Sequence, residues 1–165
     1  MNDLTRKWTG GIEIGSKIEI NALFEQLCQA FNESPYFKHS SMQVRVVDGQ
    51  LEGLLTMQPF MVGNVAYQIL HGGATATFLD SIGGVVAMGE LYKKATPETM
   101  QETLKQVSRV ATLDIRVDYL KPGRGEYFTA RAEVLRLGRK GCTMRMNMFN
   151  DQAELIATAM ASYAY

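Results

Sequence analysis

The sequence predicts an α+β fold in which a curved antiparallel β-sheet wraps one long central helix. Three observations carry this. The stretch 72–89 is apolar on nearly every helical face and holds one ionisable side chain, Asp80. Residues 112 onward alternate with period two through several turn-bounded segments, the mark of half-buried antiparallel strands. A helix that is apolar all round must be enclosed, and a sheet followed by strands can only enclose it by curling.

The elements follow in order. Residues 18–33 carry Ile20, Leu23, Phe24, Leu27 and Phe31 on one helical stripe, which ends at Ser34-Pro35. Residues 42–57 read as two short strands joined at Asp48-Gly49, a two-residue hairpin signal. From Pro59 to Leu70 the pattern is irregular. A buried helix of about residues 73–92 comes next, a rod of about 30 Å at 1.5 Å per residue. Thr96-Pro97-Glu98 supplies an N-cap, a first-turn proline and a first-turn acid, so a second helix begins there and runs to about Val107. Its side chains, Gln101, Glu102, Lys105 and Gln106, put it on the surface.

In the next strand Leu113, Ile115, Val117 and Tyr119 share one face, and Thr112, Asp114, Arg116 and Asp118 the other. Lys121-Pro122-Gly123-Arg124-Gly125 is a turn, 126–136 a strand, and Gly138-Arg139-Lys140-Gly141 another turn. Residues 142–149 and 153–164 complete a predicted four-strand meander. Residues 1–165 form one expected domain, with an N-terminal helical region at 1–40 and a surface-helix insertion at 94–108. Sheet curled around a central helix is the hot-dog arrangement.

Composition narrows the function. Lys+Arg and Asp+Glu both total 17, so no global field draws the chain to nucleic acid or anionic lipid. Cys28 and Cys142 make neither a disulfide framework nor a metal-ligand pattern; both are expected as reduced thiols in a cytoplasmic protein. The first seven residues contain no apolar h-region, so no signal peptide is expected. Residues 72–89 approach transmembrane length, yet five glycines and a central acid make a helix inside a globular protein the better reading.

His71-Gly72-Gly73, with an acid nine positions after the His, resembles the hot-dog thioesterases of the PaaI-like branch. Thr112-Leu113-Asp114-Ile115-Arg116-Val117-Asp118-Tyr119-Leu120-Lys121-Pro122-Gly123 resembles that branch's strand and turn after the helix. With Met61-Val62-Gly63-Asn64, these segments are most similar to bacterial acyl-CoA thioesterases acting on medium to long chains. The resemblance runs from about residue 55 to the end.

Residue by residue, the resemblance implies roles that chemistry supports. A carboxylate beside a dry acyl pocket is a suitable base or nucleophile for thioester hydrolysis, which points to Asp80; the bland alternative is an acid tied to a structural partner. The first amide N–H groups of a helix lack intrahelical partners and sit at its positive end. In the family the first glycine after the His gives such an N–H to the oxyanion, which maps to Gly72. Thr112 occupies the place of a hydroxyl that helps hold the water, or is simply a polar sheet residue. The family's carbonyl-binding Asn or Gln lies six residues before the His, where this chain has Val65; Asn64, one position further back, is the candidate. His71 and Gly73 are expected to line the site, and Arg124, Arg139 and Lys140 to meet the phosphates of coenzyme A. The methionines at 57, 61, 88, 144, 146 and 148 are general core or the lining of a pliable acyl pocket. No metal and no cofactor beyond the substrate's own coenzyme A is implied.

Eight residues separate Gly72 from Asp80, about 12 Å along a helix, so one thioester cannot touch both within one chain. Two antiparallel copies of the helix would bring Gly72 of one subunit against Asp80 of the other. The expectation is a homodimer with two shared sites, or a pair of such dimers. The rival readings are an acyl-thioester hydratase or dehydratase, which needs a His near the acid, and a non-catalytic acyl-CoA-binding protein.

Overall fold

A computed structural model describes residues 19–165, so residues 1–18 of the expected N-terminal helical region lie outside it. Helix α1 spans Ile20–Asn32 and buries Leu23, Phe24, Leu27 and Cys28, the stripe its spacing predicts. Ser34 then caps a short α2, Pro35–His39, its hydroxyl accepting the Phe37 N–H at 3.3 Å. Strands β1 (Met42–Val47) and β2 (Gln50–Thr56) form a hairpin. Asp48 and Gly49 turn it with φ of 52° and 72°, the positive values that a two-residue hairpin needs. In the stretch read as irregular, Pro59–Met61 makes a single 3₁₀ turn. A small hairpin follows, β3 (Val62–Asn64) with β4 (Ile69–Leu70).

The central helix α3 spans Gly72–Lys93, one residue longer at each end than its pattern predicts. It packs on β2 and on the later strands β5 (Ala111–Tyr119), β6 (Tyr127–Leu137), β7 (Gly141–Asn150) and β8 (Leu155–Ala164). Phe78, Leu79, Ile82, Val85 and Ala87 meet Leu55, Phe128, Met144, Met146 and Met148 in one buried cluster. Each such side chain contributes roughly 1.5–3 kcal/mol when removed from water. The β7 methionines, every second residue of the strand, are therefore core. Alanines at 157, 159 and 161 of β8 occupy little volume on the same inner face.

Helix α4 spans Met100–Val107, three residues later than Pro97 predicts. Instead of capping a helix at Pro97, Thr96 bonds reciprocally with Thr99, each main-chain N–H reaching the other's hydroxyl at 2.8 and 3.3 Å. The turn between them is too tight to continue as α-helix, and the helix proper starts after it. Nor is α4 polar all round: Met100 and Val107 are buried against the core.

The six-stranded antiparallel sheet runs β1-β2-β6-β7-β8-β5. This corrects the predicted four-strand meander. Strands β6, β7 and β8 do form one, but β5 lies beyond β8 at the sheet edge and β6 pairs with β2. Strict alternation in β5 also fails. Thr112 pairs with Tyr163 and Asp114 with Ser162, leaving Leu113 as a bulge that is 68% exposed. The bulge moves Thr112 off the face it would share with Asp114 and Arg116 and turns it toward α3.

Candidate active site on the central helix

The helix start is built from main-chain groups. His71 is its N-cap in extended conformation, and Nδ1 accepts the Gly73 N–H at 2.8 Å. That hydrogen bond assigns the ring proton to Nε2. The His71 N–H donates to Met61 O at 2.8 Å, and Gly63 packs so tightly against His71 that a Cβ there would clash with its backbone. His71 thus caps the helix and ties the preceding loop to it. Gly73 is exposed and its N–H belongs to the cap, so the amide it would offer a substrate is already used. The Gly72 N–H has no acceptor among the described residues. The carbonyl that shares its peptide plane, His71 O, accepts the Thr75 N–H at 3.2 Å, and from β5 Tyr119 donates its hydroxyl to Gly72 O at 2.8 Å, fixing the next peptide. A donor at the positive end of a helix, held in place and unpartnered, is what a developing oxyanion requires. Beside it Leu70, Thr75, Tyr119, Lys121 and Ile156 line an open groove of about 390 Å³.

Two turns further along α3 the site is built from side chains. Asp80 is only partly buried, although the helix that carries it is apolar on nearly every face, so its own chain does not strip the carboxylate of water. Ala76, Thr77, Ser81 and Gly84 around it are also only partly covered, so the own-chain sheet leaves this stripe of α3 open. Thr112 donates its hydroxyl to Asp80 Oδ1 at 2.9 Å. The Tyr163 hydroxyl donates to Asp80 O at 2.9 Å and lies 3.4 Å from Oδ1. Burial first, and the Asp80 charge second, push the Tyr163 phenol far above its ordinary value, so it stays a neutral donor.

The remaining candidates are not gathered around Asp80. Asn64 Oδ1 accepts the N–H groups of Ala66 and Tyr67 at 3.1 and 3.3 Å, which makes it the keystone of its own exposed turn. The Arg124 guanidinium donates one N–H to Tyr67 O at 3.1 Å, which ties that turn to the β5–β6 connection. Arg139 and Lys140 sit in the β6–β7 turn without an ion-pair partner among the described residues. The register of Gly141 and Ala111 with Ala164 places that turn at the Asp80 end of the sheet.

Tyr119 and Tyr163 were not singled out from the sequence. Tyr119 carries a signal there, since it ends the apolar face of its strand. Tyr163 carries none, because nothing along the chain links it to an acid 83 positions earlier.

Comparison with known proteins meets this geometry. The thioesterase superfamily profile matches residues 67–157, more than half of the chain, from the loop before the central helix to the start of β8. The chain belongs to the thioesterase superfamily. It is a thioester hydrolase on the hot-dog fold. It is 44% identical over 106 residues to the medium/long-chain acyl-CoA thioesterase YigI of Escherichia coli K12, covering 64% of this chain and 68% of that protein. A crystal structure from Shewanella oneidensis, described as related to the thioesterase superfamily, superposes with a TM-score of 0.81 at 33% identity, over 88% of this chain and 96% of that one. The E. coli PaaI protein of the phenylacetic acid degradation operon shares the fold at 15% identity, with a TM-score of 0.68 over 88% and 95% of the two chains. The hot-dog thioesterase expectation holds.

Proposed function

We propose that this thioesterase hydrolyses medium- to long-chain acyl-CoA in the cytoplasm, with Asp80 as base or nucleophile and the Gly72 N–H as oxyanion donor across a dimer interface. The carrying observation is the pairing on one helix of an unpartnered main-chain donor and a carboxylate with one free oxygen, about 12 Å apart. A second copy, running antiparallel along the open stripe of α3, would close each half against the other. The similarity to YigI supports the acyl-CoA class and chain length.

In the general-base form, water attacks the thioester carbonyl while Asp80 takes its proton and Gly72 stabilises the oxyanion. Collapse expels the thiolate, which recovers the proton, so acyl-CoA and water give fatty acid and CoA thiol. In the nucleophilic form Asp80 attacks first and water then cleaves the mixed anhydride. Thr112 steadies the carboxylate in both. The Asn64 amide nitrogen, still free as a donor, is the candidate for the thioester carbonyl, and Arg139 and Lys140 are candidates for the CoA phosphates. The reading calls for no metal or added cofactor. A hydratase would need an imidazole to exchange protons with the acyl chain; Nδ1 of His71 is committed to the cap and His39 stacks on Phe60 at 6.2 Å.

The test is thiol release from a panel of acyl-CoAs. Asp80→Asn should lower kcat by about 10²–10⁴-fold. Gly72→Pro removes the donor at a helix position that proline tolerates and should cost about 10²-fold. After subunit exchange, a mixture of the two inactive variants should regain roughly a quarter of wild-type activity, since one hybrid site is intact. Undiminished release by Asp80→Asn would remove its role, and folded variants that never complement would remove the shared site. Binding without release would instead mark an acyl-CoA-binding protein.

A further inference from the structure

The Asp80 carboxylate is held from one side only. Thr112 reaches Oδ1, and the Tyr163 hydroxyl lies between Oδ1 and the main-chain oxygen of the same residue, at 3.4 and 2.9 Å. One donor in reach of both groups fixes the torsions that relate them. The ring is enclosed, 1% exposed, and it fits because residue 83 is glycine: a Cβ there would fall on the phenol oxygen. Asp80 Oδ2 has no partner among the described residues. We propose that Tyr163 is a positioning residue for thioester hydrolysis, locking Oδ1 of Asp80 together with Thr112 so that Oδ2 is the oxygen presented to the substrate. This rests on the role given to Asp80 under the proposed function.

Loss of a donor to a carboxylate raises its proton affinity. The other ionisable group facing this corner is the Cys142 thiol on β7, itself pushed up by burial. Charges on the surrounding elements point elsewhere. Asp114 and Arg116 of β5 and Glu133 of β6 lie on the outer face, and Glu52 of β2 pairs there with Arg45 and Arg131. Glu90 pairs with Lys93 further down α3, Glu102 with Lys105 on α4, and Glu25 of α1 is exposed.

In Tyr163→Phe, kcat should fall about tenfold with KM within twofold, and the acid limb of kcat/KM against pH should rise by about half a unit. Carbon-13 titration of the Asp80 carboxyl, assigned by its loss in Asp80→Asn, should rise equally in the full-length protein without substrate. That second readout stands whether or not the chain turns over acyl-CoA, so it separates failure of this proposal from failure of the proposed function. An unmoved midpoint in folded Tyr163→Phe overturns it. Should that variant not fold, 3-fluorotyrosine placed at position 163 alone keeps the oxygen and strengthens the donor. The midpoint should then move down; a rise or no change overturns the proposal.

Discussion

The two edges of the sheet are treated in opposite ways. At β1 the edge is closed. Helix α1 lies against it, and the Asn32 amide both donates to Val44 O and accepts the Val44 N–H, each at 2.8 Å, as a neighbouring strand would. One strand in, Glu52 is clamped between Arg45 and Arg131, both contacts 2.7 Å, which staples β1 through β2 to β6. At β5 the far edge has only β8 beside it among the described residues, and Leu113, Tyr119 and the polar side chains between stand largely exposed. Edges left open invite pairing with another chain, so folds that stay monomeric blunt them. This chain blunts the edge remote from Asp80 and leaves bare the one whose Thr112 and Tyr119 bond Asp80 and Gly72.

The largest expected effect lies at the open edge. On the proposed dimer, the β5 amides that point away from β8 should gain hydrogen-exchange protection by orders of magnitude as protein concentration rises, and thiol release should vanish on dilution below the dissociation constant. Protection and activity independent of concentration would erase the contrast. The closed edge should respond to Asn32→Ala with a loss of about 1–3 kcal/mol in urea melts, because both Val44 groups lose their partner. Activity per folded molecule should hold; a proportionate fall in kcat would mean the two edges are coupled.

Glu52→Gln gives the smallest change. Burial alone would raise the Glu52 carboxyl, but hydrogen bonds from Arg45 and Arg131 outweigh it and hold the group below its ordinary 4.5. Its contribution is therefore full above about pH 4.5 and fades as pH falls through the lower folded value. With both guanidiniums about half exposed, the deficit of Glu52→Gln at neutral pH should stay below about 1 kcal/mol and close on acidification. A deficit that widens in acid would contradict the assignment.

Much of the helical framework was legible because its signals are local. Apolar spacing placed α1 and α3 to within a residue or two, and Asp48-Gly49 announced a hairpin through the one backbone conformation those residues share. Half of the candidate site was legible too: Gly72 and Asp80 are bound to one helix, so their separation follows from the rise per residue. The helix start at Pro97 was misplaced because Thr96 and Thr99 cap each other in a turn too tight for α-helix. The bond from Arg124 to the Tyr67 carbonyl was not legible because the two lie 57 residues apart.

By itself the sequence determined the period of each element, the acid on the central helix and the distance from that acid to the helix's first amides. These are properties of neighbouring residues and of helix geometry, settled before the chain closes on itself. Only the tertiary structure decided that β5 leaves the meander for the far edge, that a bulge at Leu113 turns Thr112 inward, and that Tyr163 passes beneath Gly83 to reach Asp80. Each joins groups 32 or more positions apart, whose meeting depends on how the strands pair and on where a missing side chain leaves room.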